Sequence, residues 1–132
     1  PAVVLDEGSA IVENILPGVI VGRDNGLAII RVNGIELQAI TDLVQGENVH
    51  VMLRPEDITF ARTKDISSAR NAFEGRITKV IPLGPLTRIE FDCGIPLMGV
   101  ITTRSATEME LTPESSIFAS FKATAIHVIK RV

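Results

Sequence analysis

Four stretches from the first half of this chain recur, in the same order, in its second half, and that constrains the fold more than any single motif. Asn14-Ile15-Leu16-Pro17-Gly18-Val19-Ile20 lies over Asn71-Ala72-Phe73-Glu74-Gly75-Arg76-Ile77 with an offset of 57. Gly34-Ile35 lies over Gly94-Ile95 (offset 60), Ile40-Thr41 over Ile101-Thr102 (offset 61), and Leu53-Arg54 over Phe121-Lys122 (offset 68). The offset grows where a longer hairpin and then an inserted helix are expected. A repeat unit of about 60 residues is marginal as an isolated domain, so the two copies are expected to pack on each other or on a partner. The polar segment from Lys64 to Ser67 divides them into lobes 1–66 and 67–132.

Within each lobe the punctuation is that of short strands and tight turns. Arg23-Asp24-Asn25-Gly26 separates Val19-Ile20-Val21 from Leu27 to Val32, and Asn33-Gly34 follows before Ile35 to Ile40. Asn-Gly between apolar runs is a two-residue hairpin signal, because both residues accept positive φ. Val49 to Leu53 ends at the turn Arg54-Pro55-Glu56-Asp57, with Ile58 to Phe60 beyond it. In the second lobe, Gly75 to Ile81, Thr87 to Phe91, Ile95 to Thr102 and Ile117 to Ile129 read as strands, and Asn71 and Gly75 as residues of a structural turn. The one helical stretch is Thr103 to Leu111, capped by Thr103 or Ser105 and stopped by Thr112-Pro113. The expected fold class is all-β: two small OB-fold-like β-barrel lobes, with one short helix in the second.

The core must be aliphatic. The chain is 45% hydrophobic yet has five Phe and no Trp or Tyr, leaving Ile, Val and Leu to fill it. A net charge of -3 argues against a nucleic-acid partner, which requires a basic face. No apolar run approaches the ~20 residues that span a bilayer as a helix. Cys93 is the only cysteine, so an internal disulfide is excluded, and Asp92-Cys93-Gly94 reads as a tight turn. His50 and His127 stand singly in apolar runs, without a second ligand at metal spacing, so no metal site is expected. No G-x-x-x-x-G-K-[ST] loop is present, and this chain by itself is not expected to hydrolyse ATP or act as an enzyme.

One polar set carries chemistry. Ser68-Ala69-Arg70-Asn71 precedes a strand-like run, offering a hydroxyl and a planar fork of N–H donors suited to a tetrahedral oxyanion. Comparison of the lobes sharpens it. Arg70 is met by Glu13, and Lys122-Ala123-Thr124 by Arg54-Pro55-Glu56, so carboxylates stand in the first lobe where the second keeps cations and hydroxyls. The expected oxyanion-binding residues from that comparison are Ser68, Arg70, Thr102, Lys122 and Thr124. Two desolvated cations that converge repel each other unless a dianion sits between them.

These residues also carry a resemblance. Ser68-Ala69-Arg70-Asn71, Gly75, Ile101-Thr102, Ser105-Ala106 and Phe121-Lys122-Ala123-Thr124 closely resemble the pattern of Mop (molybdate-binding) domains, OB-like barrels that bind molybdate or tungstate where two copies meet. Asn14-Ile15-Leu16-Pro17-Gly18 and Val51 to Ile58, with its Arg-Pro-Glu-Asp turn, look like the TOBE region of ATP-binding subunits of ABC importers. The resemblance implies a regulatory oxyanion-sensing domain that works as a homodimer, with the backbone N–H of Ala69 or Arg70 among its donors and Thr102 supplied by either the same or the other subunit. It implies an upstream nucleotide-binding domain, which alone would bind ATP, and permease subunits at the cytoplasmic face of a membrane. A chain starting at Pro1 without Met accords with that expectation. In that reading the anion feeds back to stop its own import. The alternatives are a TOBE module that only dimerises, and a stand-alone molybdate storage protein.

Overall fold

The computed structural model describes residues 2–4, 12–64 and 71–131. The first-lobe strands are β1 (Ala2–Val4), β2 (Val12–Asp24), β3 (Leu27–Val32), β4 (Ile35–Ala39), β5 (Asn48–Leu53) and β6 (Thr59–Ala61). The second lobe supplies β7 (Asn71–Leu83), β8 (Leu86–Asp92), β9 (Pro96–Thr102), helix α1 (Thr103–Glu108), β10 (Ser116–Phe121) and β11 (His127–Lys130). The fold is all-β and OB-like, and the duplication is visible in it.

Both Asn-Gly pairs form the expected hairpins. Asn25 and Gly26 have φ of 51° and 82°, and Asn33 and Gly34 have 45° and 92°. The second lobe closes its long hairpin differently, with Gly84-Pro85 between paired Leu83 and Leu86 and Gly84 at φ 72°. Glycine at the first central position suits a type II′ turn, which lets β7 run two residues past the expected Ile81.

The strands β2 and β7 organise the lobes. Each has 13 residues, and each breaks register once, between Ile20 and Gly22 and between Ile77 and Lys79. The bulges sit at the same place in the repeat. A bulge bends its strand, so the first half of each pairs on one side (β5 or β10) and the second half on the other (β3 or β8). Gly75 lies inside β7, not in a turn. A side chain there would overlap the Asp92 carbonyl and the Phe91 ring, so glycine is required for the close approach of β8. Asn71 likewise opens β7 and forms no turn.

The lobes exchange strands. After β5, a 3-10 turn at Pro55–Asp57 redirects the chain, and β6 pairs with β10 of the second lobe. After β10, a matching 3-10 turn at Ala123–Ala125 sends β11 to pair with β5 of the first. The sheets therefore read β11-β5-β2-β3-β4, with β1 on β2, and β6-β10-β7-β8-β9. The turn at Ala123–Ala125 corrects the sequence expectation of one strand from Ile117 to Ile129. Crossing between sheets needs a change of direction there, and no proline marks it.

The crossing segments, turns and strands together, carry apolar residues into a shared core. Ile58, Phe60 and Ile126 join Leu16, Ile30 and Val51 of one sheet and Ile77, Ile89 and Ile117 of the other in a single buried cluster. Phe60 meets Phe91 edge-on, with ring centroids 5.7 Å apart, and occupies the space that a side chain at Gly99 would need.

Two buried asparagines complete the exchange. Asn14, 1% exposed, accepts from the Met98 backbone N–H (2.8 Å) and donates to the Met98 carbonyl (2.8 Å) and the Leu53 carbonyl (3.1 Å). Asn71, also 1% exposed, accepts from the Gln38 N–H (2.8 Å) and donates to the Gln38 carbonyl (3.0 Å). Each side-chain amide thus acts as one peptide unit added to the edge strand of the opposite lobe. Removing it leaves two backbone groups of that edge unpaired, each costing roughly 1–3 kcal/mol where water is excluded. Asn71→Ala is expected to lower stability by about 2–4 kcal/mol in equilibrium urea unfolding. A loss below about 0.5 kcal/mol would show the clamp to be dispensable.

Candidate functional site

Ser68, Ala69 and Arg70 lie outside the described residues, so the site is built from Lys122, Thr124 and Thr102. Phe121, the last residue of β10, is in register with Asn71, the first of β7. Lys122 therefore stands beside the point where the chain enters β7. Its backbone is extended (φ -77°, ψ 147°), and its carbonyl accepts from the Ala125 N–H at 3.0 Å to start the 3-10 turn. Lys122 and Thr124 are both exposed, with buried Ala123 between them as the anchor. Among the described residues Lys122 has no carboxylate within ion-pair distance. The corner thus presents an ammonium and a hydroxyl.

Thr102 is not part of that corner. It ends β9 opposite Leu86, which pairs with Leu83 at the far end of β7. One protomer therefore holds Lys122 and Thr102 at opposite ends of a 13-residue strand, a contour of about 40 Å. Thr102 is also the N-cap of α1, in place of Thr103 or Ser105. Its extended backbone aims the hydroxyl at the Ser105 N–H (3.1 Å), and it donates to the Ser105 hydroxyl at 2.9 Å. Thr103 holds the helix to the β7–β8 turn through the Pro85 carbonyl (2.9 Å) and the Gly84 carbonyl (2.7 Å). The helix ends at Glu108, short of the expected Leu111, because Glu110 takes a left-handed φ of 54°. The Arg62 guanidinium donates to the Met109 and Glu110 carbonyls there, tying the helix to the segment that leads toward Ser68.

The first lobe shows what the same corner becomes with acids in it. Arg54 has nearly the backbone of Lys122 (φ -74°, ψ 140°), and its carbonyl accepts from the Asp57 N–H at 3.0 Å. Its guanidinium forks onto Asp57 (3.1 and 3.3 Å) and lies 3.8 Å from Glu56. The pairing of Asn14 with Leu53 places Glu13 beside it as the next residue out. Asp57 first, then Glu56 and more weakly Glu13, hold the Arg54 pKa above its ordinary value. Sequence comparison found Glu13 and Glu56. It missed Asp57, the principal partner, because the second lobe has neutral Ala125 at that position.

A cavity of about 500 Å³ lies elsewhere and is bordered by Asn14, Thr78, Glu90, Asp92 and Met98. Two carboxylates make it unsuitable for a dianion. No group of three His, Cys, Asp or Glu side chains among the described residues is arranged to hold a metal. No helix among them is long and apolar enough to cross a membrane.

Residues 67–128 match the TOBE domain family. Over 117 residues the chain is 38% identical to the molybdate/tungstate import ATP-binding protein WtpC of Pyrococcus horikoshii, covering 88% of this chain and 32% of that protein. The WtpC of Pyrococcus abyssi is 34% identical over the same length, with the same coverage of both chains. The chain spans about a third of the length of these curated relatives. Among solved structures, the cytoplasmic molybdate-binding protein ModG, crystallised with molybdate bound, superposes with a TM-score of 0.76 over 88% of this chain and 94% of ModG. Identity there is 17%, so the likeness is one of fold.

Cys93 plays no part in the corner. It is half-buried in the Asp92–Gly94 turn, its thiol donates to the Ile95 carbonyl at 3.7 Å, and burial pushes its pKa up. A raised folded-state pKa favours the neutral thiol. The stability it contributes is present below the unfolded thiol pKa of about 8.5 and is lost as pH rises through the higher folded value. At pH 8 the thiol is expected to react with a disulfide reagent more slowly than a free cysteine, and at the free rate after unfolding in guanidinium. Equal rates in the folded and unfolded chain would contradict that assignment.

Proposed function

We propose that this chain, whose residues 67–128 match the TOBE domain family, is the oxyanion-sensing part of the ATP-binding subunit of a molybdate or tungstate importer. The observation that carries the reading is the contrast between two equivalent corners. Lys122 and Thr124 stand exposed, and Lys122 has no carboxylate within ion-pair distance among the described residues, whereas Arg54 is held by Asp57 and Glu56. A dianion is favoured at the first corner and repelled at the second. The WtpC relatives carry molybdate and tungstate import in their names, and ModG holds molybdate in a similar fold, which supports that class of anion.

In this reading the second lobe, 67–132, carries the site. Lys122 and Arg70 supply charge, Ser68 and Thr124 supply hydroxyls, and the backbone N–H of Ala69 or Arg70 completes the donor set. Thr102 reaches the ligand from a second copy, since in one chain it lies at the other end of β7. The working unit is then a homodimer at the cytoplasmic face of the membrane, joined to nucleotide-binding domains and permease subunits. Bound anion favours the dimer arrangement that contacts it from both sides, and the shift is limited by its differential affinity for the two arrangements. Holding the regulatory domains together keeps the ATPase domains apart and stops import when the product is abundant. Against this stands one observation favouring a module that only dimerises: the Thr102 hydroxyl already serves as a helix cap.

Thermal unfolding with added anions separates the two. Molybdate or tungstate at 100 times its Kd is expected to add roughly 2.7 kcal/mol, with far less from sulfate or phosphate at equal concentration. Lys122→Ala should remove the shift and Arg54→Ala should leave it. No shift with either metal oxyanion would select the dimerising module, and a full shift in Lys122→Ala would show that the cation is misassigned.

A further inference from the structure

The duplication asks what became of the first lobe's copy of the site. The two corners share their backbone closely. Asp57 N–H to the Arg54 carbonyl and Ala125 N–H to the Lys122 carbonyl are both 3.0 Å, and the next hydrogen bonds, Ile58 to Pro55 and Ile126 to Ala123, are 3.3 and 3.4 Å. Each corner begins immediately after a residue paired with a clamp asparagine, Leu53 with Asn14 and Phe121 with Asn71. The frame that positions a cation is intact in both lobes. What differs is the surrounding charge.

We propose that the first lobe retains a tetrahedral-oxyanion site in self-liganded form, in which the carboxylates of Asp57, Glu56 and Glu13 stand around Arg54 where a free anion would otherwise sit. Two Asp57 oxygens take the fork of the guanidinium, as two oxygens of a tetrahedral anion would. Glu56 stands where the second lobe has the Thr124 hydroxyl, and Glu13 where it has Arg70. One Glu13 carboxylate oxygen is buried without a hydrogen-bond partner among the described residues, leaving a third acid ready beside the same cation. A dianion approaching Arg54 must therefore displace one carboxylate and face two more. The consequence is a fixed stoichiometry: only the second lobe responds to free anion, and the first is locked in the state that the second reaches on binding. This rests on the proposed function for the class of anion but is tested on the first lobe itself.

The test is equilibrium dialysis of the full chain against tungstate. Glu13→Gln with Glu56→Thr and Asp57→Ala removes the internal carboxylates and reproduces the second lobe's Thr124-Ala125. The released chain is expected to bind one more tungstate per chain than the unmutated one. That added binding should survive Lys122→Ala and disappear with Arg54→Ala. If the triple variant does not fold, the pair Glu56→Thr and Asp57→Ala alone is read in the same way. A folded released chain that binds no more tungstate than the unmutated one overturns the inference, as does added binding that persists without Arg54. Failure of the unmutated chain to bind tungstate would instead count against the proposed function, and the gain on release would still be read independently.

Discussion

Two side-chain amides, Asn14 and Asn71, hold this molecule in register. Each sits fully buried at the start of a long bent strand and pairs with one residue of the opposite lobe's edge strand, Met98 or Gln38. An edge strand exposes unpaired backbone groups and invites wrong partners, and here a single amide covers each edge at its middle. The pairing is reciprocal, so neither lobe can shift without breaking the other's clamp. The same asparagines are in register with Leu53 and Phe121, the residues directly before Arg54 and Lys122. The clamps thereby set both the lobe interface and the places where the two cations emerge.

On this near-symmetric frame the chemistry is deliberately unequal. One corner is exposed and cationic; the other is neutralised from within. Because the backbone is common to both, the difference comes down to Glu13, Glu56 and Asp57 against Arg70, Thr124 and Ala125. Strand exchange adds a mechanical consequence. The 3-10 turns after Arg54 and Lys122 lead straight into β6 and β11, the strands that cross between sheets. A ligand held at Lys122 therefore acts where the lobes are interlocked, a suitable place to influence how whole domains associate.

Much of this was legible in the sequence because it is local. The Asn-Gly hairpins follow from the positive φ that those residues tolerate, and the repeat exposed the matched asparagines and glycines. That Asn survives in both lobes while its neighbours change pointed to a structural role, although the role is a clamp and not a turn. The strand exchange was not legible. β6 and β11 are only three and four residues long, too short for a period to show which sheet receives them, and pairing across such separations leaves no local mark. The turn at Ala123–Ala125 lacks the proline that announces its counterpart at Pro55. Thr102, expected as a ligand, also caps the helix, a role that the sequence assigns equally well to Thr103 or Ser105. Of the expected site, the Lys122 and Thr124 corner is visible in the fold, while Ser68, Ala69 and Arg70 rest on sequence.

The most direct measurement is to locate the anion. Crystals of the full chain grown with tungstate should show a tungsten anomalous peak with an oxyanion oxygen about 2.7–2.9 Å from the Lys122 ammonium. Thr102 of a second copy should face it, and Arg54 should remain on Asp57. A peak at Arg54, in the acid-lined cavity near Glu90, or nowhere on the chain would contradict the assignment of Lys122 as the cation of an oxyanion sensor.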